Sequence, residues 1–164
     1  MIAIVDYNMG NLASVRNAFD LLGHPVVVES DPDKLHTYER IILPGVGAFA
    51  DAMEHLKVRG MNQGLGLIPG RVVAFDSSRF HQPLKVPHMG WNRMFTKEHP
   101  LFSGLDEAHY LYFVHSYHAL PNDAAHSIGE SEYGYRFTSA VGLNNVMGIQ
   151  PHPEKSHQNG LKIL

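Results

Sequence analysis

The first 59 residues alternate two apolar patterns, and that alternation limits the folds open to the chain. Residues 1–5, MIAIV, are an unbroken apolar run of the kind that buried parallel strands use. A turn through Asp6–Asn11 follows, with Gly10 as its permissive backbone point. Leu12, Val15, Phe19 and Leu22 then recur at spacings of 3, 4 and 3, which predicts one face of a helix ended by Gly23. PVVV (25–28) predicts a second strand. Asp31 fits a helix N-cap with Pro32 at the first helical position, so SDPDKL predicts a capped helical turn. RIILPG (40–45) predicts a third strand running into the loop PGVG. Phe49, Ala52, Met53 and Leu56 predict a second helix reaching to about Arg59. Strand, helix, strand, helix, strand, helix is the pattern of a parallel sheet with helices on its faces.

After Gly60 the pattern stops. Only Met61, Asn62 and Gln63 separate the second helix from GLGLIPGRVVAF, which reads as a turn and then a strand. KVPHMGWNRMF, HYLYFVHSYHAL, RFTSAVGL and NVMGIQ predict short strands punctuated by Pro, Gly and Asn. GLKIL, at the end, predicts the first turn or two of a helix. No repeat, low-complexity tract or linker divides the chain, so it reads as a single domain over residues 1–164.

Composition narrows the function classes. Hydrophobic residues at 44% and charged residues at 18% belong to a soluble globular protein. No apolar run approaches the roughly 18–20 residues of a membrane span, so no membrane partner is expected. The start lacks the basic region of a signal peptide, which makes a cytoplasmic address the expectation. A net charge of −3 with scattered Lys and Arg gives no electrostatic reason for a nucleic-acid partner. Twelve histidines raise the question of a metal. The pairs His115/His118 and His152/His157 have no carboxylate in a zinc spacing such as H-E-x-x-H, and neither a metal nor another cofactor is expected. The absence of cysteine excludes disulfides and thiolate ligands.

Four stretches could carry chemistry. PGVG (44–47) lies between a strand and a helix, where ligands bind in open α/β sheets. A glycine-flanked loop there can aim backbone N–H groups at a developing oxyanion, or be a plain turn. VPHMGWN (86–92) holds the only Trp, an aromatic anchor for a core or an interface. YLYFVHSY (110–117) reads as a strand with one wet rim, and its His115 as a structural histidine. QPHPEKS sets His152 two residues before Glu154, a spacing that lets a carboxylate hold one imidazole nitrogen and orient the other. A serine nucleophile at Ser116 or Ser156 is disfavoured, because neither lies in a G-x-S-x-G elbow.

Taken together and in order, these stretches resemble the class I (triad) glutamine amidotransferases, in the branch that forms the glutaminase subunit of imidazole glycerol phosphate synthase. The likeness runs through IAIVDYNMGNLASV, LPGVGAFADAM, GLGLIPGRV, KVPHMGWNRM, YFVHSYHA and GIQPHPEKS, almost the whole length. It implies a three-layer, flavodoxin-like α/β fold with a mixed central sheet and helices on both faces. It also implies hydrolysis of glutamine to glutamate by a Cys–His–Glu triad. Ammonia then passes to a cyclase subunit of (β/α)₈ fold, the partner in a heterodimer of histidine biosynthesis. On this resemblance His152 is the base and Glu154 its orienting carboxylate. Gly45, Val46 and Gly47 are the oxyanion strand, and Ser116 and Tyr117 hold the glutamine substrate. Asn11, Met89, Trp91 and Tyr112 face the cyclase barrel.

The chain departs from this family at one place. Family members carry a strand, a cysteine elbow and a helix between the counterparts of Arg59 and Gly64. Such a unit needs roughly 30 residues, and Met61–Gln63 stand in its place. The sequence therefore predicts a deletion or gap near residues 61–63, with loss of the elbow strand and helix. If the 164 residues are the complete chain, no glutaminase activity is expected of it; the alternative is a pseudo-amidotransferase that only binds the cyclase barrel. Pro151, where the family usually has an aromatic residue, is a smaller departure.

Overall fold

A computed structural model of the chain describes residues 1–45, 68–105 and 109–164. The chain divides into two compact units, Met1–Leu65 and Gly66–Leu164. The helix predicted from Phe49 to Leu56 and the junction at residues 61–63 lie outside the described residues. Among the described residues no helix is long and apolar enough to cross a membrane.

The first unit follows its sequence pattern closely. Strand β1 (Ile2–Val5) lies between β2 (Val26–Glu29) and β3 (Arg40–Ile42), parallel to both. Ala3, Ile4 and Val5 point to alternate faces and all are buried, so both faces of β1 are covered, which explains the unbroken apolar run. Helix α1 (Leu12–Leu21) buries Val15, Ala18 and Phe19. Asn11 caps it, its side-chain oxygen accepting the Ser14 N–H at 3.1 Å. Gly23, at φ +71°, turns the chain out of the helix in a conformation that costs glycine little. Asp31 caps the 3₁₀ turn Pro32–Thr37 through the Asp33 N–H at 3.0 Å.

The second unit is an antiparallel sheet. Its strands are β4 (Gly70–Ala74), β5 (His88–Thr96), β6 (His109–His115), β7 (Tyr117–Pro121), β8 (Ser127–Tyr133), β9 (Tyr135–Leu143) and β10 (Val146–Ile149). The order is β4-β7-β9-β8-β5-β6, with β10 on β9. Inward residues of alternate register build one core around Phe75, Met94, Leu111, Phe113 and Phe137. The α/β class stands, its parallel and antiparallel strands forming one sheet of three and another of seven.

Three elements differ from the sequence reading. HYLYFVHSYHAL is two strands, not one: it breaks at Ser116, so that β6 pairs with β5 and β7 pairs with β4. Strand β8 had no apolar signature because it buries Ser127, Gly129 and Ser131. Their hydroxyls are matched in the sheet: Ser131 donates to Ser139 at 2.9 Å, and Ser127 accepts from Thr138 at 3.1 Å. The final helix, α2 (His157–Leu161), starts earlier than GLKIL implied.

Candidate active site

Strand β6 ends the strand order of the seven-stranded sheet, and the chain's tail docks there. His152 makes an isolated antiparallel bridge with Tyr112, its N–H donating to the Tyr112 carbonyl at 2.8 Å. Ser156 closes the other half of the contact. Its Oγ accepts the Tyr112 N–H at 2.9 Å and donates to the His152 carbonyl at 2.5 Å. Ser156 is 1% exposed, so this hydroxyl is spent on main-chain bonds and is not a nucleophile beside an imidazole. Gly160 lets α2 lie directly on this knot. A Cβ there would overlap the Pro153 carbonyl oxygen and stand 2.8 Å from the Ser156 Cβ.

On this platform His152 Nδ1 lies 3.0 Å from Glu154 Oε1. The contact is made across the 3₁₀ turn Pro153–Lys155, which brings the carboxylate back to the Nδ1 edge of the ring. Glu154 is nearly buried, its side chain 7% exposed, whereas that of His152 is 27% exposed. Burial alone would push the Glu154 carboxyl up. The hydrogen bond from His152, backbone donation and the charges of His152 and Lys155 outweigh it and hold the group below its ordinary value. An ionised Glu154 accepts from Nδ1–H, leaving Nε2 as the ring nitrogen that can take or give a proton. This is the geometry of a general base with its orienting acid.

The substrate-holding candidates Ser116 and Tyr117 sit at the break between β6 and β7. The Ser116 carbonyl accepts from the Phe75 N–H at 3.0 Å, and the Tyr117 carbonyl faces His115 Nδ1 at 2.8 Å. Beside them is a cluster the sequence reading did not assemble. His88 Nδ1 lies 2.8 Å from His115 Nε2, and both rings pack around Phe75. Burial pushes both imidazoles down to about 4. The alternation of β6, with His109, Leu111, Phe113 and His115 inward, was the signal that could have placed His115 in the core.

Met89, Trp91 and Tyr112 fall on the opposite, outer face of β5 and β6, where Trp91 is paired with Tyr112. Met89 is 61% and Trp91 47% exposed. Trp91 stands edge-on to the Tyr112 ring and is stacked flat on His157 at 5.1 Å. Trp91 is thus on a strand, as KVPHMGWNRMF implied. In the first unit, Asn11 is exposed at the start of α1. Tyr7 anchors the entry to the glycine loop, its hydroxyl donating to the Pro44 carbonyl at 2.5 Å. Gly45 is exposed, and Val46 and Gly47 lie outside the described residues.

Comparison with known proteins places the chain in a family. Residues 3–164 match the family described as glutamine amidotransferase class-I. The imidazole glycerol phosphate synthase subunit HisH of Sulfurimonas denitrificans is 61% identical, the match covering 100% of this chain and 95% of the relative. The HisH subunit of Wolinella succinogenes is 44% identical, over 100% of this chain and 97% of that one. Among solved structures, PurLQS from Thermotoga maritima superposes with a TM-score of 0.71 at 19% identity, covering 99% of this chain and 94% of that one. A glutamine amidotransferase from the same organism superposes at 0.63 and 13% identity, covering 93% of this chain and 75% of that one. These two are similar in fold. The chain belongs to the class I glutamine amidotransferase family, and within it groups with the HisH subunits.

Proposed function

We propose that this chain is the glutamine amidotransferase subunit of a cytoplasmic imidazole glycerol phosphate synthase. Subunits of that kind hydrolyse glutamine and pass ammonia to a (β/α)₈ cyclase subunit. The observation that carries the reading is the His152–Glu154 contact of 3.0 Å, held on β6 by Ser156. In such a site the imidazole takes the nucleophile's proton and returns it to the departing ammonia, while Glu154 keeps the ring in the required tautomer.

In its 164-residue form the chain has no cysteine to attack the carboxamide. Alignment with the Sulfurimonas denitrificans relative runs over 197 positions, 33 more than the 164 residues here. That supports loss of a whole strand–elbow–helix unit, which takes roughly 30 residues, and not a point substitution. The chain is therefore a docking subunit with the base and orienting acid of the triad but without its nucleophile. The exposed face of Met89 and Trp91 favours the docking role.

The test is glutamate release by the purified chain, mixed with the cyclase subunit and its nucleotide ligand. No release above background is expected, since removing a covalent nucleophile costs on the order of 10⁴–10⁶ in rate. Inserting a strand–cysteine elbow–helix unit of the kind this family carries between Arg59 and Gly64 is expected to restore turnover. Turnover by the mass-confirmed 164-residue chain overturns the requirement for the lost thiol. A silent insertion variant that still binds the cyclase overturns the glutaminase reading.

A further inference from the structure

The buried histidines of the second unit form a hydrogen-bond chain whose direction is forced. It ends on the Tyr117 carbonyl, which can only accept. His115 therefore carries its proton on Nδ1, and its Nε2 is an acceptor. His88 Nδ1, 2.8 Å from that Nε2, must then be the donor. This leaves His88 Nε2 as an acceptor for the Asn92 amide nitrogen at 3.1 Å. Asn92 is oriented independently: its Nδ2 also donates to the Glu132 carbonyl at 2.8 Å, and its Oδ1 accepts the Arg93 N–H at 2.7 Å. A second proton on His115 would set two N–H groups against each other across 2.8 Å. Both rings are consequently neutral, in keeping with their burial at 3% and 8% exposure.

We propose that His88 and His115 are positioning residues for glutamine: a buried, one-directional relay that sets the Ser116–Tyr117 backbone. The proposal rests on reading that segment as the one that holds the substrate. Both of its carbonyls are held, Ser116 by the Phe75 N–H and Tyr117 by His115. Because the peptide unit is planar, fixing a carbonyl fixes the N–H across the same bond. The relay and the Phe75 contact therefore set where the N–H groups of residues 117 and 118 point. His88 hydrogen-bonds His115 and acts through it, by fixing its tautomer.

The experiment uses the full chain, ¹⁵N-labelled, with glutamine as the probe. Long-range ¹H–¹⁵N correlation at pH 7 is expected to show the Nδ1–H tautomer for both His88 and His115. Either ring protonated on Nε2 overturns the relay. Glutamine titration is expected to move the amides of 116–118 and give a Kd. His115→Phe and His88→Phe should raise that Kd about tenfold, the size of one lost hydrogen bond. His115→Asn and His88→Asn, which place an amide nitrogen near the Nδ1 position, should stay within about threefold of wild type. A phenylalanine variant that binds as wild type does, in a chain with the expected tautomers, overturns the positioning role. Amides of 116–118 unmoved at saturating glutamine overturn the substrate reading of the segment and with it any role in glutamine binding. The tautomers, read separately, then show whether the relay itself exists.

Discussion

Ser156 stands between Tyr112 and His152, accepting from the N–H of the first and donating to the carbonyl of the second. Three residues from two parts of the chain thus meet on one buried hydroxyl, and His152 is held by its backbone before its ring is oriented at all. Ser156→Ala leaves a buried N–H and a buried carbonyl without that partner. We expect a loss of about 1–3 kcal/mol, read as a lower denaturation midpoint. The His152 ring should also become more mobile in ¹⁵N relaxation. An alanine variant as stable as wild type would show the hydroxyl to be dispensable.

Gly160 is where α2 touches the turn that carries Glu154. An added methyl collides with main chain, at the Pro153 carbonyl, and main chain cannot rotate away as a side chain can. Gly160→Ala is expected to destabilise by about 1–3 kcal/mol, the range for overpacking. It should also speed amide exchange in residues 157–161. Unchanged exchange there would mean that the helix shifts freely and that the glycine is incidental.

Acid should weaken the second unit in a defined window. His88 and His115 titrate near 4 when folded, against 6.5 for the free side chain. Between those values the unfolded chain binds more protons than the native one, so stability falls as pH drops from about 6.5 towards about 4. His118 acts in the same direction, burial being its main cause. Arg79 near His118, and His118 and His152 near His115, oppose any further positive charge. Glu154, held below its ordinary 4.5, extends the loss below that value. Thermal melts from pH 7.5 to 4.5 are expected to show a falling Tm, and His88→Phe should flatten the upper part of the slope. A Tm independent of pH above 5 would contradict neutral buried rings.

Trp91 offers a large exposed ring, steadied by His157 and Tyr112. If this face meets the cyclase, Trp91→Ala should weaken association by about 1–2 kcal/mol, roughly tenfold or more in Kd. Calorimetric titration reads it directly. Association unchanged by the substitution would move the interface elsewhere.

The parts of the fold that were legible in the sequence are those where local chemistry and burial agree. β1 shows its place because a strand covered on both sides is apolar throughout, and α1 and the Asp31 turn carry their own caps. β8 was missed because its inward side chains are mostly serine and glycine, satisfied by cross-strand hydroxyls that no hydropathy pattern records. The break at Ser116 was missed because β6 and β7 share an apolar run and part only in their choice of neighbours. Of the site, the His152–Glu154 pair was readable as a spacing. The roles of Ser156 and His88 were not, since each depends on a residue at least 27 positions away.

Tyr112 has one further consequence. Its main chain grips the tail that carries the base, and its ring meets the indole on the outer face. On the proposed function, a lesion at this tyrosine disturbs assembly and acid–base competence together, so its phenotype is uninterpretable by itself. Genetic dissection of the two roles has to begin one strand over, at the tryptophan.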